Sequence, residues 1–110
     1  MHITQAELTS LTTEHLAKAA ANPHGRSAHA VLRDGKLRHT LLAITDGSRL
    51  DDHTKPASAT LLVLRGSVTV NWSGGEPVTV EEGGLYVLPE AVHNVVANGD
   101  SAFLLTTIAG

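Results

Sequence analysis

Residues 60–89, TLLVLRGSVTVNWSGGEPVTVEEGGLYVLP, decide the fold class. Thr60–Leu64 is a continuous apolar run, and Ser67–Trp72 alternates through Val68 and Val70, the period-2 pattern of a half-buried strand. Ser73-Gly74-Gly75 reverses the chain into Val78–Val80. Glu82-Gly83-Gly84 turns it again into Leu85–Leu88, and Pro89 breaks that strand.

The same grammar continues in both directions. Toward the C-terminus come His93–Ala97, the turn Asn98-Gly99-Asp100, and Ala102–Ile108. Toward the N-terminus, Ser27–Arg33 and Lys36–Thr45 flank Asp34-Gly35, a hairpin signal whose two central residues need positive φ. Asp46-Gly47 marks one more turn. About eight or nine short strands, punctuated every eight to twelve residues or so by Gly, Asp or Pro, predict an all-β sandwich or barrel. There is no βαβ alternation, no repeat of fixed period, no low-complexity segment and no heptad.

Residues 1–25 differ from the rest. The segment 10–21 is alanine-rich, opens on a capping hydroxyl with a Glu soon after, and ends at Asn22-Pro23, because the residue before proline is pushed out of the α region. Leu8, Leu11 and Leu16 offer little apolar surface, so the segment reads as one short helix lying against something larger. The expected organisation is an N-terminal segment with its helix, 1–25, followed by the barrel, 26–110.

Composition narrows the function classes. A chain of 110 residues supports one core, and 42% hydrophobic with 17% charged residues is ordinary for a globular protein. One Phe, one Tyr and one Trp leave the core to Val, Leu, Ile and Ala. The formal net charge is −3 with only 8 Lys and Arg, so nothing marks a nucleic-acid footprint. The absence of cysteine removes disulfides, thiolate metal sites and thiol nucleophiles together, and fits a reducing compartment. No apolar run approaches the roughly 20 residues of a bilayer span, and residues 1–9 do not read as a secretion signal. A cytoplasmic protein without membrane or nucleic-acid partners is expected.

Two motifs carry the functional reading. In 47–66, GSRLDDHTKPASATLLVLRG, Gly47 is followed after five residues by His53, then by Lys55, Ala59 and Gly66. In 83–98, GGLYVLPEAVHNVVAN, Gly83 is followed by Pro89, His93 and Asn98. In spacing the pair resembles the two motifs of the cupins. The first of these is Gly, five residues, His-x-His, three or four residues, Glu, six residues, Gly. The second is Gly, five residues, Pro-x-Gly, two residues, His, then Asn. This sequence departs at three points: Lys55 stands in place of the second His, Ala59 in place of the Glu, and Ala91 in place of the Gly, with one residue fewer before His93. The resemblance covers about residues 36–108 and looks closest to small single-barrel cupins that keep only the two outer histidines.

The resemblance implies a double-sheet jelly-roll barrel with the strands of the two motifs adjacent in one sheet. Alternation along the first strand puts Asp51, His53 and Lys55 on one face, and along the second it groups His93, Val95 and Ala97. If that face is the interior, His53 and His93 meet near the barrel mouth with Lys55 beside them. The same resemblance implies a homodimer.

The chemistry then divides three ways. In the first, a binding or sensing module holds a small ligand, an anion among the candidates, around His53, Lys55 and His93. In the second, a metal-dependent oxygenase or isomerase uses His53 and His93 as ligands to Fe, Mn, Ni or Zn. Lys55 would oppose such an ion by several kcal/mol at an effective dielectric of about 20, unless it swung to solvent or His39, Asp51 or Glu90 approached. The third is a non-catalytic accessory barrel acting through its dimer surface. His39 and His29 read as surface or packing residues, His2, His15 and His24 as solvated, and Trp72 as a cover for a strand end.

Overall fold

The computed structural model describes residues 1–53 and 58–109, with the side chains of Asp52 and His53 outside the description. A helix, α1 (Gln5–Ala21), precedes nine strands: β1 (Arg26–Asp34), β2 (Leu37–Ile44), β3 (Arg49–His53), β4 (Ser58–Arg65), β5 (Ser67–Trp72), β6 (Val78–Glu81), β7 (Leu85–Val87), β8 (His93–Ala97) and β9 (Ser101–Ile108). They form two sheets, one of order β1-β2-β9-β4-β7 and one of order β3-β8-β5-β6, with antiparallel pairing throughout. This is the jelly-roll architecture expected of the resemblance. The two motifs meet twice, at β4 against β7 in the first sheet and at β3 against β8 in the second.

Strand alternation supplies the core. Ile44, Leu61, Val63 and Phe103 from the first sheet face Val68, Val70, Val80, Val95 and Ala97 from the second. Phe103 is the largest fully buried side chain. The aliphatic remainder is what the scarcity of aromatics demands, each fully buried Val or Leu contributing about 1.5–3 kcal/mol. Gly66, the last residue of the first motif, joins β4 to β5 with φ 82°, and a Cβ there would collide with Ser101 Oγ and the Asp100 carbonyl. The buried Ser101 hydroxyl accepts the Ser67 N–H at 3.1 Å and lies 2.9 Å from the Ser67 carbonyl, so this corner is tied through one side chain.

The helix begins earlier than the alanine-rich stretch indicates. Thr4 accepts the Glu7 N–H at 3.1 Å while Glu7 reaches back to the Thr4 backbone, a capping box that starts α1 at Gln5 instead of near Ser10. The helix crosses the outer face of the first sheet, touching β1, β2 and β9. There Ala19, Leu41, Ala43 and Ala102 form a second small core, with Leu11, Leu16, Val31 and Leu64 around it. The helix therefore covers the outer face of that sheet, whose edges are β1 and β7.

Two further expectations are corrected. His15, read as solvated, is buried beneath the helix, because its helical position turns it onto β1 along with Thr12 and Ala19. The β1–β2 hairpin turns one residue later than Asp34-Gly35. Asp34 pairs with Leu37 across its end, and of the central pair Gly35-Lys36 only Gly35 has positive φ, at 57°. A turn with Gly at its first central position needs no second left-handed residue.

Candidate functional site

The second motif delivers its histidine to the barrel interior. Along β8 burial alternates strictly, with His93, Val95 and Ala97 inward and Asn94 and Val96 outward. The break at Pro89 turns the chain back before β8, and the Ala91 carbonyl then lies 3.0 Å from His93 Nδ1. A carbonyl can only accept, so Nδ1 carries the proton, and in the neutral ring Nε2 is the nitrogen with the lone pair. The ring is 1% exposed, and Nε2 itself is shut off from solvent.

The first motif reaches the same place by an irregular route. Arg49 pairs with Val96 and Leu50 with Val95, but the next partners are His53 and His93: three steps along β3 against two along β8. The extra residue is a β-bulge, which breaks period-2 alternation and shifts the phase of the residues beyond it. Its consequence for Asp51 corrects the sequence reading. Asp51 does not join His93. It lies outside, its carboxylate 3.7 Å from Arg49 and 3.9 Å from Arg26, with three-quarters of the side chain exposed. Position 53 stands opposite His93 because of the bulge. The His53 side chain and all of Lys55 lie outside the described residues.

The surrounding wall is apolar. Ala59, at the position of the motif's carboxylate, is 3% exposed and part of the main core. Leu88 is bound to it through a backbone hydrogen bond of 3.0 Å to the Ala59 carbonyl. Trp72 stands opposite His93 in the β5–β8 ladder. Its indole N–H donates to the Glu76 carbonyl at 2.9 Å, and its ring leaves no room for a Cβ at Gly75, so it covers the strand end as expected.

Among the described residues, the other candidate ligands form no cluster of three or more with His93. His39 shares the outer face of Leu41 and Ala43 and bonds Thr106 at 2.9 Å, and Glu90 is exposed. His2 and His24 are exposed. His29 lies on edge strand β1 against α1, where its ring stacks obliquely on His15. Sequence reasoning misses that pairing of two histidines across a helix and a strand; a longer helix read from the Thr4–Glu7 box points to it.

Solved structures similar to this one were found in number. A cupin superfamily protein from Desulfitobacterium hafniense superposes with a TM-score of 0.71 at 14% identity, over 77% of this chain and 78% of that one. A cupin-2 domain protein from Shewanella frigidimarina superposes at 0.71 and 16% identity, over 96% and 93%. This barrel has the cupin fold. Salicylate 1,2-dioxygenase from Pseudoaminobacter salicylatoxidans, solved with gentisate adducts, gives 0.77 at 16% identity, over 96% of this chain but only 32% of that larger one. No protein family matches the sequence, and no curated protein does.

Against the metal-binding pattern that the cupin motifs imply, the donors present do not fit. The carboxylate position holds a buried Ala59 inside the apolar core. Among the described residues, no group of three or more His, Asp or Glu side chains is gathered that could hold an ion. What this cupin barrel does retain is a buried imidazole of fixed orientation, opposite a second histidine position on the neighbouring strand. Among the described residues no helix is long and apolar enough to cross a membrane.

Proposed function

We propose that the protein is a cytoplasmic binding or sensing cupin whose lumen, around His53, Lys55 and His93, holds a small anionic molecule without a metal ion. The observation that carries this reading is Ala59. With an apolar side chain where the motif has its carboxylate, the site lacks the anionic ligand that balances a divalent cation, and Lys55 brings a positive charge to the same motif.

The parts of such a pocket set its chemistry. Directly opposed residues of an antiparallel ladder have Cβ atoms about 4.5–5.5 Å apart, which favours joint use of His53 and His93 on one ligand. His93 supplies a buried imidazole whose orientation is set by the Ala91 carbonyl on Nδ1. Lys55 supplies the countercharge for a carboxylate or phosphate. The gentisate bound by the dioxygenase neighbour combines both groups and serves here as a probe.

Untagged protein titrated with gentisate, acetate and inorganic phosphate is expected to show saturable shifts of the His93 ring signals with at least one of them, lost in Lys55→Met. Near-stoichiometric Fe, Mn, Ni or Zn that disappears in His53→Ala and His93→Ala would overturn the metal-free reading in favour of a metal-dependent oxygenase or isomerase. If instead Lys55→His with Ala59→Glu creates metal binding where none existed, the site is a degenerate one.

Homodimerisation belongs to the same proposal. Leu85 and Val87 on edge strand β7 are about two-thirds exposed, and an unpaired edge with two large aliphatic residues favours covering by a second copy. Light scattering is expected to give twice the mass of one chain, falling to a monomer in Leu85→Glu with Val87→Lys.

A further inference from the structure

A second group of ionisable side chains is closed in on the far side of the first sheet. His15 of α1 is 4% exposed. Its Nδ1 lies 2.6 Å from Ser27 Oγ on β1, and its ring centroid lies 5.0 Å from that of His29, two residues along the same strand. Nε2 approaches the Glu14 carboxylate at 3.3 Å, without the alignment of a hydrogen bond. Lys18, one turn on, reaches the same carboxylate at 3.8 Å. The parts of β2 and β9 beneath the helix contribute Leu41, Ala43 and Ala102, none of them charged. Arg65 of β4 stands by the first turns of the helix, alongside Gln5, Leu8, Thr9 and Thr12.

We propose that α1 is a pH-operated latch, seated on the sheet while His15 is neutral and released as that ring takes up a second proton. The neutral ring suits the seam. Glu14 can only accept, so the proton on Nε2 faces it, and Nδ1 accepts the Ser27 hydroxyl. A charged ring there is short of water and stands beside two other basic groups.

Burial, then Lys18, then His29, hold the His15 pKa below its ordinary 6.5, and Glu14 pulls it the other way. Glu14 and Lys18 are both more than half exposed, so solvent screens them and burial decides. The undocked ring takes its proton near 6.5 and the docked ring only lower, so the seat is at full strength above 6.5 and weakens as pH falls toward the docked value. The helix's apolar grip, from Leu11, Leu16 and Ala19, is small, so one charged ring weighs heavily against it.

Nuclear magnetic resonance of the full chain between pH 8.0 and 4.5 tests this, following the His15 ring and the exchange of backbone amides. His15 is expected to titrate below 6.5. Protection of the α1 amides, corrected for intrinsic exchange, is expected to fall relative to β5 and β8 by up to about thirtyfold at pH 5.0, the limit in which the docked ring takes no proton. His15→Gln, which can still bond Ser27 but does not titrate, is expected to flatten that response. Should His15→Gln fail to seat the helix, His29→Gln serves in its place, with the His15 titration moving up toward 6.5. Titration of His15 at or above 6.5, α1 protection constant between pH 7.5 and 5.0, or an unchanged acid response in His15→Gln overturns the proposal.

Discussion

His93 and His15 are both buried imidazoles anchored through Nδ1, yet they sit on opposite sides of the first sheet and are held by different kinds of partner. His93 is bound by a carbonyl, which accepts and does nothing else, so its tautomer is fixed by the backbone. His15 is bound by a hydroxyl, which can donate or accept, so its ring can change protonation without losing that bond. The first arrangement fixes which way the ring is turned and keeps a donor on Nδ1. The second leaves the charge state to burial and to the neighbours Lys18 and His29, as a sensor requires.

Substitutions can break that comparison. The largest effect is expected at His93→Ala, where loss of a fully buried ring and an orphaned Ala91 carbonyl cost about 2–4 kcal/mol in urea unfolding, together with all probe binding. His15→Ala is expected to cost less, about 1–2 kcal/mol, and to loosen α1 while amide exchange in β5 and β8 stays slow. Equal losses at both sites, spread over the whole barrel, would mean that the helix and the barrel do not respond separately. Ser27→Ala removes the hydroxyl alone and is expected to cost about 1 kcal/mol, with α1 protection reduced already at neutral pH. Thr4→Ala removes the cap, costs about 0.5–1 kcal/mol and frays only the first turn, visible as faster exchange at Glu7 and Leu8 with the His15 titration unchanged.

Much of the barrel is legible in the chain itself. Alternation at Val68 and Val70, the glycine turns and the break at Pro89 place β5 to β8 within a residue or two, since a strand with one buried face writes its period into the chain. His93 can be assigned to the interior on the same ground. The other motif is not legible in this way. Counting back from His53 sends Asp51 inward and counting on from Leu50, which packs on the core, sends it out; the bulge between them, a property of pairing between two strands, is what the chain does not show. His15 escapes for a related reason. The burial of a helical residue depends on where the helix begins and what it lies on, and the alanine run draws attention away from the Thr4–Glu7 cap.

The single unmatched residue in β3 works like a spacer in a gear train. The amino acid set opposite His93 depends on how many residues separate Leu50 from that place, so deleting one would put a different residue in that register position while leaving the core residues of the strands intact. A chain built this way can change the residue facing its buried histidine through a one-codon insertion or loss, with no change to the residues that make it fold.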